Sequence, residues 1–203
     1  MTMSTVIVIR IPGIRLSREA CDAMLRTLLG AAYIRAHLCH AVDTPETYIY
    51  LADALDRSMA HEPAKITTAA GPTDALAAAI ARRYPGASTH VLQLTLDVQG
   101  QAWDKTAAWH YVVETDVNAA AEVDFNNWYT QEHMPGLAAV PGTVRAMRLY
   151  NRDGAPRYHA LYLLQTRDTF GSPPWLAVRG TEWSSRVRPH FNNTKRTMFN
   201  IIE

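Results

Sequence analysis

Apolar and polar positions along the chain fall into short alternating runs and longer stripes at helical spacing, and the order of these runs occurs twice. Thr5 to Ile11 is β-branched and ends at Pro12-Gly13, which predicts a buried first strand. Ser17 is placed as an N-cap with Glu19 in the first turn, and Ala20, Met24, Leu25, Leu28 and Leu29 form a helical stripe. Tyr33 to Val42 and Thr47 to Leu51 read as strands joined by the turn Asp43-Thr44-Pro45-Glu46, hence as a hairpin. Asp53 to Gly71 has little periodicity and reads as loop or broken helix. Thr73 to Arg83 is Ala-rich and helical, and Thr89 to Val98 returns as a strand.

After Gln99-Gly100-Gln101 the order starts again. Trp109 to Val117 is a strand, and Asp124 to about Met134 a helix stopped by Pro135-Gly136. Thr143 to Tyr150 and Arg157 to Gln165 are strands about the turn Asn151-Arg152-Asp153-Gly154. Ser172-Pro173-Pro174 opens a helix running to about Val187, and Lys195 to Ile202 is a closing strand. Each half therefore reads β-α-β-β-α-β, the ferredoxin-like split motif, in an α+β fold. The expected division is a first repeat over residues 1–100 and a second over 105–203. An offset of 110 aligns Ile34-Arg35-Ala36 with Val144-Arg145-Ala146, Asp43 with Asp153 and Tyr48 with Tyr158, as internal duplication requires. Each half leaves a sheet face that only the other half or a second subunit can cover, and a homodimer is expected.

Composition narrows the function. The chain has 203 residues, 48% of them hydrophobic and 19% charged, which excludes disorder and leaves room for a sizeable core. Lys+Arg 20 against Asp+Glu 19 gives a net charge of +1, so no overall field favours nucleic acid or an anionic membrane. A small, mostly uncharged partner is the default. Two cysteines, Cys21 and Cys39, are too few for a disulfide framework and match no zinc spacing, which suits a reducing cytoplasm. The run Val6-Ile7-Val8-Ile9 is too short for a signal segment or a membrane span. His37, Cys39 and His40 lie close together, but on a strand His40 points away from the other two, so no metal site is expected there. No nucleotide, flavin, zinc-protease or serine-hydrolase motif is present, and chemistry without a bound cofactor is the economical expectation.

Candidate chemistry concentrates in the second half. All five tryptophans (Trp103, Trp109, Trp128, Trp175, Trp183) and all four phenylalanines follow residue 100, so an aromatic-lined pocket belongs there. In Asp124 to Pro135, α-helical spacing puts Phe125, Trp128, Tyr129, Glu132 and His133 on one face. A carboxylate and an imidazole would then point inward among three rings. His133 is the natural proton carrier at neutral pH, Tyr129 could orient a substrate oxygen, and Glu132 could fix an arginine or tyrosine. Trp109, Tyr111, Tyr158, His159 and Trp175, together with Phe125 and Trp128, are the candidate substrate contacts. Alternation along Trp109 to Glu114 puts Trp109, Tyr111 and Val113 opposite His110, Val112 and Glu114 without saying which side meets the helices. Arg186, Arg188 and His190 read first as groups that satisfy the end of the last helix, with contact to a substrate carboxylate as the alternative.

Asp124 to Leu137, with Val140-Pro141-Gly142, resembles the F-N-x-W-Y-x-x-E-H-x-P-x-L plus V-P-G signature of a group within the EthD-like, dimeric α/β-barrel superfamily. Pro156-Arg157-Tyr158 through Leu161-Tyr162 resembles that group's third strand. Ser172-Pro173-Pro174-Trp175 and Trp183 to His190 resemble its second helix. The resemblance covers roughly residues 108 to 203 and implies a dimeric α/β-barrel type of arrangement, with the two repeats as a pseudo-dimer. It implies His133 as the acid/base, helped by Tyr129, and a first repeat that has lost the site. The superfamily includes isomerases, cyclases, cofactor-free monooxygenases and haem-dependent branches. Three readings are therefore carried forward. The first is a cofactor-independent lyase, isomerase or cyclase acting on a small hydrophobic or aromatic metabolite. The second is a monooxygenase or haem-dependent oxidoreductase, and the third a non-catalytic binding protein.

Overall fold

The computed structural model describes residues 5–33, 35–51 and 70–203, and the expected loop from Asp53 lies almost wholly outside them. The chain divides into two compact units, one running up to Leu92 together with Asn200–Glu203, the other Gln93–Phe199.

In the first unit the order is β1 (Thr5–Pro12), α1 (Arg18–Leu29), β2 (His37–Ala41), β3 (Glu46–Leu51), α2 (Ala70–Arg83) and β4 (Ser88–Gln99), whose residues after Leu92 belong to the second unit. β3 is antiparallel to both β1 and β2, with Ile9 opposite Ile49 and Leu38 opposite Ile49 on the other side. Ile7, Ile9 and Ile11 pack with Met24, Leu25, Leu76 and Ile80, so the alternate residues of β1 meet both helices. Val6 and Val8 on the opposite face are also 1% exposed, as a strand covered on both faces requires. Ser17 caps α1 by accepting from the Ala20 N–H at 3.2 Å. The buried stripe is Cys21, Met24 and Leu25; Ala20 and Leu28, expected inside, face solvent.

The second unit repeats the order: β5 (Trp109–Val117), a long helix, β6 (Thr143–Asn151), β7 (Tyr158–Leu164), α5 (Pro173–Arg179), α6 (Glu182–Val187) and β8 (Phe191–Ile202). Its strands lie in the order β8-β5-β7-β6, the ferredoxin-like arrangement, with β7 antiparallel to β5 and β6. The last predicted helix is thus two helices, because Gly180 and Thr181 end one and Thr181 caps the next through its hydroxyl and the Ser184 N–H.

The long helix departs from expectation at its centre. It is α-helical over α3 (Glu122–Trp128), becomes a π turn over Tyr129–His133, and returns to α over α4 (Met134–Ala138). The Met134 N–H donates to the Tyr129 carbonyl five residues back. Pro135, expected to stop the helix, is carried instead: a widened turn relieves the clash between a proline ring and the carbonyl four residues earlier.

Candidate functional site

The π turn, one residue wider than an α turn, sets the site. It brings His133 onto Trp128, five positions earlier, with ring centroids 4.1 Å apart and planes at 23°. Tyr129 meets the same imidazole edge-on at 5.4 Å. All three are buried, His133 at 6% exposure. They form one wall of a narrow cleft. Leu137 completes that wall, and Tyr111, Val113 and Tyr162 from β5 and β7 form the floor. Trp175 of α5, Arg179, Arg188, Phe191 and Arg196 close the remaining sides.

Strand geometry explains the floor and one irregularity. Tyr111 and Val113 alternate along β5 and so share the helix-facing side, which settles the orientation that period two left open. On β8, however, Phe191 and Arg196 both line the cleft although an odd separation puts residues on opposite faces. Asn193 lies between them in the left-handed region, φ 48°, and a residue so placed absorbs one step of the alternation, as in a bulge.

His133 is held neutral. Burial, then the charges of Arg188 and Arg179, pull its pKa down to about 3. Its Nδ1 is enclosed without a hydrogen-bond partner among the described residues. Tyr129 is pushed up to about 12 by burial, partly offset by Arg148, so its phenol stays protonated. Arg148 is itself 5% exposed, its guanidinium 4.4 Å from the Tyr129 ring, 4.9 Å from Phe125 and 4.8 Å from Tyr158. It lies behind Tyr129 rather than in the wall of the cleft.

The remaining candidates separate into those the fold brings together and those it does not. Trp128, Tyr129, His133, Tyr111 and Trp175 converge on the cleft. Glu132 does not: the extra residue in the turn rotates it off the inward face, where it accepts from Trp128 Nε1 at 3.1 Å and Thr181 Oγ1 at 2.6 Å. It ties the π turn to α6. Phe125 lies one turn before Tyr129, packed on its ring at 4.9 Å and under Arg148. The Tyr158 hydroxyl donates to Glu122 instead of facing the cleft. His159 lies on the opposite face of the sheet, 3.4 Å from Glu114, both 2% exposed, because side chains alternate along β7. Trp109 does not line the cleft either. Arg186 pairs with Asp124 at 3.0 Å, and neither it nor Arg188 or His190 donates a side-chain hydrogen bond to a helix carbonyl among the described residues. Sequence reasoning missed Arg179, Phe191 and Arg196. One signal was available: residues 171–203 carry five Lys and Arg (Arg179, Arg186, Arg188, Lys195, Arg196) against two carboxylates, Glu182 and Glu203.

Comparisons with known proteins bear on the fold. No protein-family profile matches the chain, and no curated protein matches it in sequence. Solved structures do match across nearly its whole length. A putative monooxygenase from Fusobacterium nucleatum superimposes with a TM-score of 0.62 at 10% identity, covering 100% of this chain and 94% of that one. A ferredoxin-fold protein from Listeria monocytogenes, described as related to antibiotic biosynthesis monooxygenases, gives 0.55 at 9% identity, with 100% and 96% covered. A heme-degrading enzyme from the same organism gives 0.56 at 7% identity, with 97% and 98% covered. The class of protein is thereby defined at the level of fold: α+β, with tandem ferredoxin-like repeats of the kind found in dimeric α/β-barrel proteins. Identities this low carry the fold alone. No helix among the described residues is long and apolar enough to cross a membrane.

Proposed function

We propose that the second repeat is a cofactor-independent acid/base enzyme for a small aromatic metabolite, with a lyase, isomerase or cyclase reaction of the kind the EthD-like resemblance implies. The observation that carries this reading is the imidazole of His133 in the wall of an aromatic cleft, with the Tyr129 ring beside it.

In this reading a flat ring lies among Tyr111, Trp128, Trp175 and Phe191, where stacking and edge contacts recognise aromatic faces. Nε2 of His133 takes a proton from an acidic C–H or enolic O–H of the substrate. The Tyr129 phenol, protonated across the physiological range, donates a hydrogen bond to the substrate oxygen on which negative charge develops. Arg148, behind the Tyr129 ring, steadies that charge through the phenol. Return of the proton from His133 to a different atom completes an isomerisation; loss of a leaving group instead completes an elimination.

A second reading shares the first step. An aromatic anion generated by His133 could react with O₂, and one structural neighbour is described as a putative monooxygenase. Haem chemistry fits less well: the cleft cannot receive a porphyrin unless Trp128 and Trp175, 1% and 0% exposed, move aside. The expected assembly is a homodimer, read directly by light scattering.

Turnover of a panel of enolisable aromatic metabolites tests the reading. Wild type is expected to convert at least one of them without added metal or haem, and His133→Ala to lose about 10²–10⁴-fold in rate, the usual contribution of a general base, with unchanged circular dichroism. Near-normal turnover in His133→Ala contradicts it. A Soret band in the purified protein, or O₂ uptake that follows substrate, moves the assignment to the second reading. Tight binding with no product across the panel reduces the cleft to a binding site.

A further inference from the structure

We infer that the ligand of this cleft is an anion, an aromatic or enolic carboxylate whose carboxyl group is held by Arg179, Arg188 and Arg196. The inference rests on the acid/base reading for the chemistry that follows binding, but the binding claim can stand or fall separately.

Three guanidinium groups from different elements line one small cleft: Arg179 ends α5, Arg188 directly follows α6, and Arg196 projects from β8. Among the described residues none of the three makes a salt bridge or a hydrogen bond. No carboxylate lines the cleft. The charged neighbours that act on Arg188 are Arg179 and Arg196, which repel it. Arg179 and Arg188 are half-buried, so part of their hydration is already lost. Like charges gathered without a counter-charge in a partly dry site are a standing cost, and an arriving anion relieves it.

Helix C-termini attract cations, which accounts for a basic residue at each of these two helix ends. It does not account for their convergence with Arg196 of β8 on one cleft, and neither guanidinium hydrogen-bonds a helix carbonyl among the described residues. The nearby Arg186 provides the contrast, since its guanidinium pairs with Asp124 through two hydrogen bonds. The net charge of +1 for the whole chain hides this local excess.

The choice of a planar carboxylate follows from the rest of the wall. Arginine forks match a carboxylate in bidentate fashion, and the rings of Tyr111, Trp128, Trp175 and Phe191 line the same cleft. The carboxylate also couples to the acid/base group. Burial first, and then Arg188 and Arg179, hold the His133 pKa down, and an anion beside the two guanidiniums cancels part of that second contribution. Binding would therefore raise the basicity of His133 when substrate is present.

The test uses benzoate and its neutral isostere benzamide, titrated into the full-length protein by calorimetry at low salt, with inorganic phosphate as a third probe. Benzoate is expected to bind at least tenfold more tightly than benzamide and to weaken as salt rises. Arg188→Gln and Arg179→Gln are each expected to lower benzoate affinity tenfold or more, whereas Arg186→Gln leaves it unchanged. Should a Gln variant fail to fold, Arg188→Lys, which keeps the charge but loses the fork, is expected to weaken benzoate severalfold at unchanged thermal stability. Equal binding of benzamide, or benzoate affinity indifferent to Arg179 and Arg188, overturns the inference and leaves the acid/base reading untouched. Phosphate binding as tightly as benzoate overturns the carboxylate assignment. Benzoate binding as expected beside an inactive wild type keeps the inference and removes the reading on which its chemistry rests.

Discussion

His133 and Trp128 stack at 4.1 Å although five residues separate them, a contact that a regular α-helix does not make and a π turn does. The extra residue lays the imidazole over the Trp128 ring, while Glu132, four positions on, accepts from Trp128 Nε1 at the ring's edge and from Thr181.

Deleting the exposed Thr130 should restore an uninterrupted α-helix in which His133 follows Trp128 by four positions, the spacing that keeps two side chains on one face. Helical circular dichroism and benzoate binding are both expected to persist. Loss of benzoate binding at unchanged helicity would mean that the site needs the wider turn itself and not only the shared face.

Glu132→Gln should act on stability rather than on ligand affinity. The change weakens charge-assisted hydrogen bonds from Trp128 and Thr181, at a cost of roughly 1–3 kcal/mol in chemical denaturation. Thr181→Ala should cost about 1 kcal/mol or more, since that hydroxyl also caps α6. A double-mutant cycle should show strong coupling between the two positions.

The pH dependence of stability follows from His133. Its folded pKa, about 3, lies below the 6.5 of the unfolded chain, so the unfolded state binds more protons between those values. Stability is expected to fall as pH drops from about 6.5 toward 3, with this group contributing at most about 1.4 kcal/mol per pH unit. Denaturation of wild type and His133→Gln across this window should show a shallower slope in the variant. Identical slopes would mean that His133 titrates normally in the fold.

Gly142, in the turn before β6, has φ +90°, and a Cβ there would lie 2.3 Å from Thr169 Oγ1. Gly142→Ala should cost at least about 1–3 kcal/mol from backbone strain alone. Thermal denaturation beside Gly13→Ala, also at positive φ but with open space around it, separates the clash from the strain.

Much of the fold was legible because strands and caps speak locally. Trp109–Val117 is bounded as expected, Ser17 caps α1, and the offset of 110 correctly places Tyr48 in β3 and Tyr158 in β7, the third strand of each repeat. Cys21 replaced Ala20 in the buried stripe, a choice that depends on which side of the helix meets the sheet. The site was half legible. Trp128, Tyr129 and His133 belong to one aromatic segment whose face could be read, but α periodicity also sent Glu132 inward. A π turn leaves no mark in a periodicity count, and Pro135, read as a stop, was its one local sign. Arg179 and Arg196 were missed because an arginine at a helix end or on an edge of alternation ordinarily faces water. The left-handed Asn193 that turns Arg196 toward the cleft has no unique sequence signature.

The central claim, proton transfer by His133, is tested most directly by solvent-deuterium exchange into an enolisable aromatic carboxylate such as phenylpyruvate, followed by proton NMR. Wild type is predicted to speed loss of the acidic C–H signal well above the buffer rate, with His133→Gln at least 100-fold slower and equally folded, in line with a general base. Exchange by His133→Gln at the wild-type rate would contradict the account.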